Sequence, residues 1–267
     1  MLNVYFASSN WKPTENNPFI ADGSYGEKWS AFIYDDSINN LYTNVFPNTK
    51  VYSLIVKPQI DKEFERLIDF VIYETSYGRN IILKIPNNSK EVILAKLETL
   101  SKNNKNIIRA TDIKWLVHST TKQLWEKIKI TGELLSPSCL KHNGKEVNEI
   151  GLKALLEPMD YSDFIMLDVV DGCGELVVNS RQRGYICLDP NIEYIPGVRI
   201  YFNAHKIISY GLATRDGLHV LKVFERLPLD KYMALAIEDK MLTRRIWTPT
   251  TYTHFSNEFF LKHVEGL

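Results

Sequence analysis

Three shortages bound what this chain can be. Cysteine is scarce: only Cys139, Cys173 and Cys187 occur, odd in number and widely spaced. Such spacing supplies neither a disulfide framework nor paired metal ligands, so no metal is expected, and a reducing cytoplasm is the simplest setting. Long apolar runs are missing too. No stretch reaches the roughly 18 consecutive apolar residues of a membrane-spanning helix, so no membrane partner is expected. The opening Met1-Leu2-Asn3-Val4-Tyr5-Phe6 lacks the basic start and long apolar segment of a secretion signal. Excess charge of one sign is the third shortage. Lys plus Arg number 32 and Asp plus Glu 32, which argues against broad nonspecific binding to nucleic acid but leaves room for a local basic patch.

What is present is ordinary for a globular protein. The chain has 267 residues, enough for one large domain or two small ones, and 45% of them are hydrophobic, enough for a packed core. The first part, about residues 1–110, reads as a small α/β domain. Val4–Phe6 and Ala31–Tyr34 are short apolar runs, and Val51–Val56 is rich in the β-branched residues of strands. Asp61 can cap a helix whose apolar face is Phe64, Leu67, Ile68, Val71 and Ile72, with Gly78 as its stop. Ile81–Ile85 reads as a strand. Ser89 can cap a second helix bearing Val92, Ile93, Leu97 and Leu100, and Ile107-Ile108 can start another strand. No glycine-rich phosphate loop occurs in this part. The turn-rich, aromatic stretches Ser8–Pro13 and Asp22–Gly26 suit a structured loop, or the lining of a binding surface.

From about residue 111 to 267 the pattern changes to many short strands: Phe164–Val169, Glu175–Val178, Gly184–Leu188, Val198–Phe202, Leu218–Val223, Met233–Ile237 and Glu258–Val264. Helical patterns are confined to Thr121–Ile130, Val147–Leu156 and Ala204–Gly211. The expectation is an α+β protein whose second domain is dominated by sheet.

The most informative stretch is Lys114–Ile128. Trp115–Val117 reads as a buried strand with His118 at its end. Thr120 and Gln123 have capping-box spacing, and Leu124, Trp125 and Ile128 give the following helix an apolar face that Gly132 closes. A histidine held where a strand gives way to a helix sits on rigid elements. Spacing alone equally fits a structural histidine.

The second domain resembles the ADP-ribosyltransferase-like fold, whose clan includes the DNA-base ADP-ribosyltransferase toxins and the tRNA 2′-phosphotransferases. Leu116-Val117-His118-Ser119-Thr120, then a helix, then Gly132-Glu133-Leu134-Leu135, is similar to the clan's first motif. Arg199-Ile200-Tyr201-Phe202-Asn203-Ala204 looks like its second strand motif. Phe255–Lys262 looks like a late strand opened by the catalytic glutamate, and can also be aligned with the last strand of the phosphotransferases. The resemblance covers about residues 113–267 and nothing before.

The resemblance implies an ADP-ribosyltransferase-like split-sheet domain, with NAD as substrate. His118 would bond a hydroxyl of the nicotinamide ribose, and Ser119 and Thr120 would hold the strand and the cofactor. Tyr201 would lie against nicotinamide, Arg199 would meet the diphosphate, and Glu258 would stabilise positive charge as the glycosidic bond breaks. Glu238 is a rival carboxylate. Arg181 and Arg183 form a small basic cluster that fits either a phosphate or a solvated turn; His205 and His219 read as structural. The implied activity is NAD-dependent transfer of ADP-ribose to an acceptor that is a nucleic acid or a protein. The rivals are transfer of a 2′-phosphate from RNA to NAD, and an inactive nucleotide-binding member of the fold. Two departures stand out. The toxins' arginine after Tyr-Phe is replaced by the stretch Asn203-Ala204-His205-Lys206, and few of the phosphotransferases' arginines are matched.

Overall fold

The computed structural model describes residues 3–39, 41–58, 62–102, 113–147, 149, 157–172 and 174–264. It is a mixed α+β protein of two compact units. The first comprises Met1–Ile107 with Leu155–Pro158 and Arg215–Leu218; the second comprises Ile108–Ala154, Met159–Thr214 and His219–Leu267.

The first unit is built on β1 (Val4–Phe6), β2 (Trp29–Tyr34), β3 (Tyr42–Val45), β4 (Tyr52–Val56) and β5 (Asn80–Lys84), in the spatial order β1-β5-β2-β4-β3. The β1, β5, β2 and β4 strands are parallel, and β3 closes one edge antiparallel to β4. Every residue of β4 is buried, as expected of a strand covered on both faces. Helix α1 (Lys62–Ser76) buries Leu67, Ile68 and Val71, the face expected from its 3.6-residue period. Gly78, just beyond it, has φ 71°. Helix α2 (Lys90–Lys102) buries Ile93 and Leu97 but leaves Val92 exposed. It follows a 3-10 turn over Asn87–Ser89, so Ser89, expected as the cap, lies within that turn. The expected cap at Asp61 and the expected strand at Ile107-Ile108 lie outside the described residues. Arg66 of α1 donates to the carbonyls of Gly217 and Leu218, which ties the excursion 215–218 to this unit.

The second unit holds β6 (Trp115–Thr120), β7 (Glu133–Leu135), β8 (Phe164–Val169), β9 (Val198–Asn203), β10 (Ala213–Thr214), β11 (Leu221–Phe224), β12 (Arg226–Pro228) and β13 (Met233–Glu238). Six of them form one antiparallel sheet, β10-β11-β8-β6-β9-β13; β7 and β12 pair separately. Alternation sorts the side chains by face. Leu116, Val198, Ile200 and Phe202 enter one core with Leu167, Val223 and Trp125. Val117 and Tyr201 enter the other, with Ile237, Phe260 and Val264.

The helices of this unit are α3 (Lys122–Thr131), α4 (Pro137–His142), α5 (Glu175–Arg183), α6 (Ala204–Ser209), α7 (Leu229–Tyr232) and α8 (Pro249–Val264). Helix α3 is capped by Thr121, whose side chain accepts from Leu124 N, so the cap sits one residue later than the Thr120–Gln123 spacing suggests; Gly132 closes the helix in the left-handed region.

Several expected strands are corrected. Glu175–Val178 is the start of α5, a helix set between Gly174 and the left-handed Gly184. Gly184–Leu188 is loop, with Cys187 held through its backbone by the Ser180 hydroxyl. Glu258–Val264 is the last part of α8. Tyr252, Ser256, Phe260 and Val264 recur every four residues and are all buried, a helical period that outweighs the local aromatic content. Most of the expected helix Val147–Leu156 lies outside the described residues.

Candidate functional site

Strand β6 runs three residues beyond Val117, so His118 lies within the strand rather than at its end. Its pairing with β9 continues to Thr120, whereas its pairing with β8 covers only Leu116↔Val169 and Val117↔Asp168. From there β8 instead pairs β11 through residues 164–167. The sheet therefore divides at His118, and a side chain takes over where the ladder stops: His118 Nδ1 lies 3.1 Å from Met166 O. A carbonyl only accepts, so Nδ1 carries the proton and Nε2 presents its lone pair. Burial pulls the imidazole down to about 4, the Met166 carbonyl opposes this, and the charge of Arg181 lowers it further. The ring is neutral at pH 7 and far too weak a base for proton abstraction there. It is suited to accepting a hydrogen bond from a hydroxyl.

The next residue points the other way. Ser119 Oγ donates to Glu175 Oε1 at 2.8 Å, at the first turn of α5. A Cβ on Gly174 would lie 2.8 Å from that hydroxyl, and one on Gly172 would lie 2.1 Å from Asp168 Oδ2. Both glycines thus lie in close approach to side chains, and neither has a positive φ. Thr120 is buried opposite Val198. A Cβ on Gly197 would fall 2.1 Å from the Thr120 carbonyl oxygen.

Behind Ser119 lies a fully buried polar network. Glu175 Oε2 accepts from Arg199 Nη1 and from Thr253 Oγ1, each at 2.6 Å. Arg199 also donates to Tyr201 Oη at 3.1 Å, Asn257 Oδ1 at 3.2 Å, Gly172 O at 3.1 Å and Val170 O. Tyr201 Oη donates to Asn257 Oδ1, and Asn257 Nδ2 donates to Val170 O. Burial works against the Arg199 charge, but Glu175 and Tyr201 together more than offset it and hold the guanidinium above its ordinary value. Burial pushes the Tyr201 phenol up. Burial also raises Asp168, with Val169 N–H, Arg199 and His219 pulling against it.

The six candidates of the sequence thus separate. His118, Ser119 and Thr120 follow one another on β6 at the division of the sheet. Arg199 and Tyr201 sit inside the network: Arg199 is engaged by five acceptors, and Tyr201 is stacked on Phe260 at 3.9 Å with an 8° interplanar angle. Glu258 lies on α8, not at the start of a strand. It is exposed, 3.8 Å from His254 Nε2 one turn earlier, while its neighbour Asn257 points into the network. The rival Glu238 pairs with Lys240 at 3.0 Å.

Sequence reading missed Glu175, Thr253 and Asn257. Glu175 carried one usable signal, an acidic residue directly after a Gly-x-Gly stretch, which suits the first turn of a helix. Thr253 and Asn257 are one helical turn apart, a period visible only once α8 is read as a helix. Among the described residues no group of His, Cys, Asp and Glu could hold a metal ion, and no helix is long and apolar enough to cross a membrane. Comparison of the chain with protein-family models, with curated proteins and with solved structures finds no match.

Proposed function

We propose that the second unit is an NAD-dependent ADP-ribosyltransferase, an ADP-ribosyltransferase-like fold whose reactive centre lies at the division of the sheet beside His118. The observation that carries this reading is the state of that histidine. It is neutral, its tautomer is set by Met166 O, and its Nε2 lone pair is left to accept from a ribose hydroxyl. NAD would supply the labile nicotinamide–ribose bond, and His118 would orient the ribose. Ser119 and Thr120 would hold β6 in place, Ser119 through Glu175. Arg199 and Tyr201 fit a positioning role better than direct contact with diphosphate or nicotinamide, because their polar groups are already engaged. Glu258 is the exposed carboxylate candidate for the acceptor side. The acceptor would be a nucleic acid or a protein.

Transfer of an RNA 2′-phosphate to NAD is a second reading. It is favoured by one observation: α5, whose first turn is bonded to Ser119 beside His118, carries two cations, Arg181 and Arg183, in its last turn.

Nicotinamide release from NAD by the purified protein tests the proposal, with His118→Ala and Glu258→Gln alongside. Release lost in both variants supports the transferase. Release that needs His118 but not Glu258, and that is stimulated by 2′-phosphorylated RNA, supports the second reading. No release and no NAD binding would sink both.

A further inference from the structure

Two loops of the second unit are clasped together and display apolar side chains to solvent. Residues 184–197 lead from α5 into β9, and residues 242–248 lead into α8. Tyr194 N–H donates to Trp247 O at 3.0 Å, while Thr250 N–H and Oγ1 both donate to Pro190 O, at 3.2 and 2.9 Å. The first loop is also tied to α5: Gln182 Nε2 donates to Ile195 O at 3.1 Å and Arg183 Nη2 to Glu193 O at 3.0 Å. Tyr194, Trp247 and Tyr252 pack with Val178 in a buried cluster that joins the two loops to α5 and α8.

Ile195 and Ile246 flank the Tyr194–Trp247 bond, one from each loop, and are 71% and 74% exposed; Leu188, two residues before Pro190, is 72% exposed. The backbone that carries them is already bonded, so covering them costs little further ordering. Bulky aliphatic side chains held out together from a fixed surface mark an interaction site.

The two loops carry opposite charge. Residues 184–197 include Asp189 and Glu193 and no Lys or Arg; residues 242–248 include Arg244 and Arg245 and no Asp or Glu; all four are exposed. A two-fold axis through the aliphatic patch lays the acidic loop of one copy against the basic loop of the other, twice, with the isoleucines between. Such self-complementarity is what an isologous dimer needs. A uniformly anionic partner would meet repulsion from Asp189 and Glu193.

We propose that this patch is the contact of a two-fold symmetric dimer of the chain, in which Leu188, Ile195 and Ile246 are covered and Glu193 of each copy faces Arg245 of the other. The residues assigned to NAD lie outside it, so the dimer stands or falls independently of the transferase.

Sedimentation velocity of the full chain over a concentration series tests it. The wild type should show a monomer–dimer equilibrium. Glu193→Lys and Arg245→Glu should each weaken dimerisation at least about tenfold, because symmetry counts each change twice. Both changes spare the loop bonds: the Glu193 carbonyl still accepts from Arg183, whereas Asp189 and Arg244 bond within their own loops and are left alone. Mixed one to one, the two variants should pair with each other and recover the dimer, since both charge contacts of the mixed pair are attractive; misfolded chains would not. Ile246→Asp should be monomeric with an unchanged circular dichroism spectrum. A wild type that stays monomeric up to ~100 µM, variants that dimerise as the wild type does, or a mixture that stays monomeric would each overturn it.

Discussion

Replacing Arg199 with methionine removes the centre of the buried network at nearly constant volume. The structure sets the size of the effect. Five acceptors lose a donor at once: Glu175 Oε2, Tyr201 Oη, Asn257 Oδ1, Val170 O and Gly172 O. Some keep another partner. Glu175 retains Ser119 and Thr253, and Val170 O retains Asn257 Nδ2. What nothing replaces is the counter-charge of a carboxylate that is wholly buried. Breaking such a pair from one side costs about 3–5 kcal/mol, because an uncompensated charge stays behind. Glu175→Gln strands the guanidinium and should cost a similar amount. The double variant leaves no charge, so its loss should fall below the sum of the two by at least ~2 kcal/mol.

Urea unfolding of the four proteins measures this. Far-ultraviolet circular dichroism follows the transition, and hydrogen exchange at the β6 and β9 amides assigns it to the second unit. Additive losses, or a loss below about 1 kcal/mol in Arg199→Met, would refute the view that this pair carries the packing of β6, β9, α5 and α8.

Three further outcomes follow from single sites. His118 takes a proton near 6.5 when unfolded but only at about 4 when folded. The unfolded chain therefore binds more protons in between, and stability falls as pH drops through that window by up to ~3 kcal/mol, levelling below it; the pH profile of His118→Gln should lack that share. Gly197→Ala drives a Cβ onto the Thr120 carbonyl and should destabilise by about 2 kcal/mol or more in urea unfolding. Thr121→Ala deletes the α3 cap and should cost ~1 kcal/mol, whereas Thr120→Ser, which keeps the hydroxyl of the rejected cap position, should cost less.

Much of the first unit was legible because its elements are long and strictly periodic. Leu67, Ile68 and Val71 face the core as their spacing says, and the β-branched run before Pro58 is strand β4. The edge strand β3 was not legible. Its residues alternate between exposed and half-buried, so it has no apolar signature of its own and is defined by pairing with β4. In the second unit β8 and β9 stand where their apolar runs place them, whereas α5 and α8 were read as strands. Both helices bury polar groups, Glu175, Asn179 and Ser180 on one and Thr253, Ser256 and Asn257 on the other. A hydrophobicity pattern cannot count such residues as inward-facing. The same fact hid the network, since its members are polar residues that become internal only through one another. His118 was legible as a residue, but the division of the sheet around it depends on β8 exchanging β6 for β11, which no local pattern in β6 encodes.

That exchange would place the proposed chemistry and the buried network on neighbouring residues of one strand. Successive side chains of β6 point to opposite faces. Ser119 therefore belongs to the network and His118 to the gap left by β8. Glu175 accepts from Ser119 at the first turn of α5, so that helix anchors the strand. A change in the network should consequently reach His118 by moving α5 against β6. Thr253→Val removes one donor from Glu175 without touching His118. It should weaken NAD binding modestly, by a few-fold, and shift the His118 imidazole resonances in the same sample. Unchanged resonances alongside weakened binding would break the proposed link between network and site.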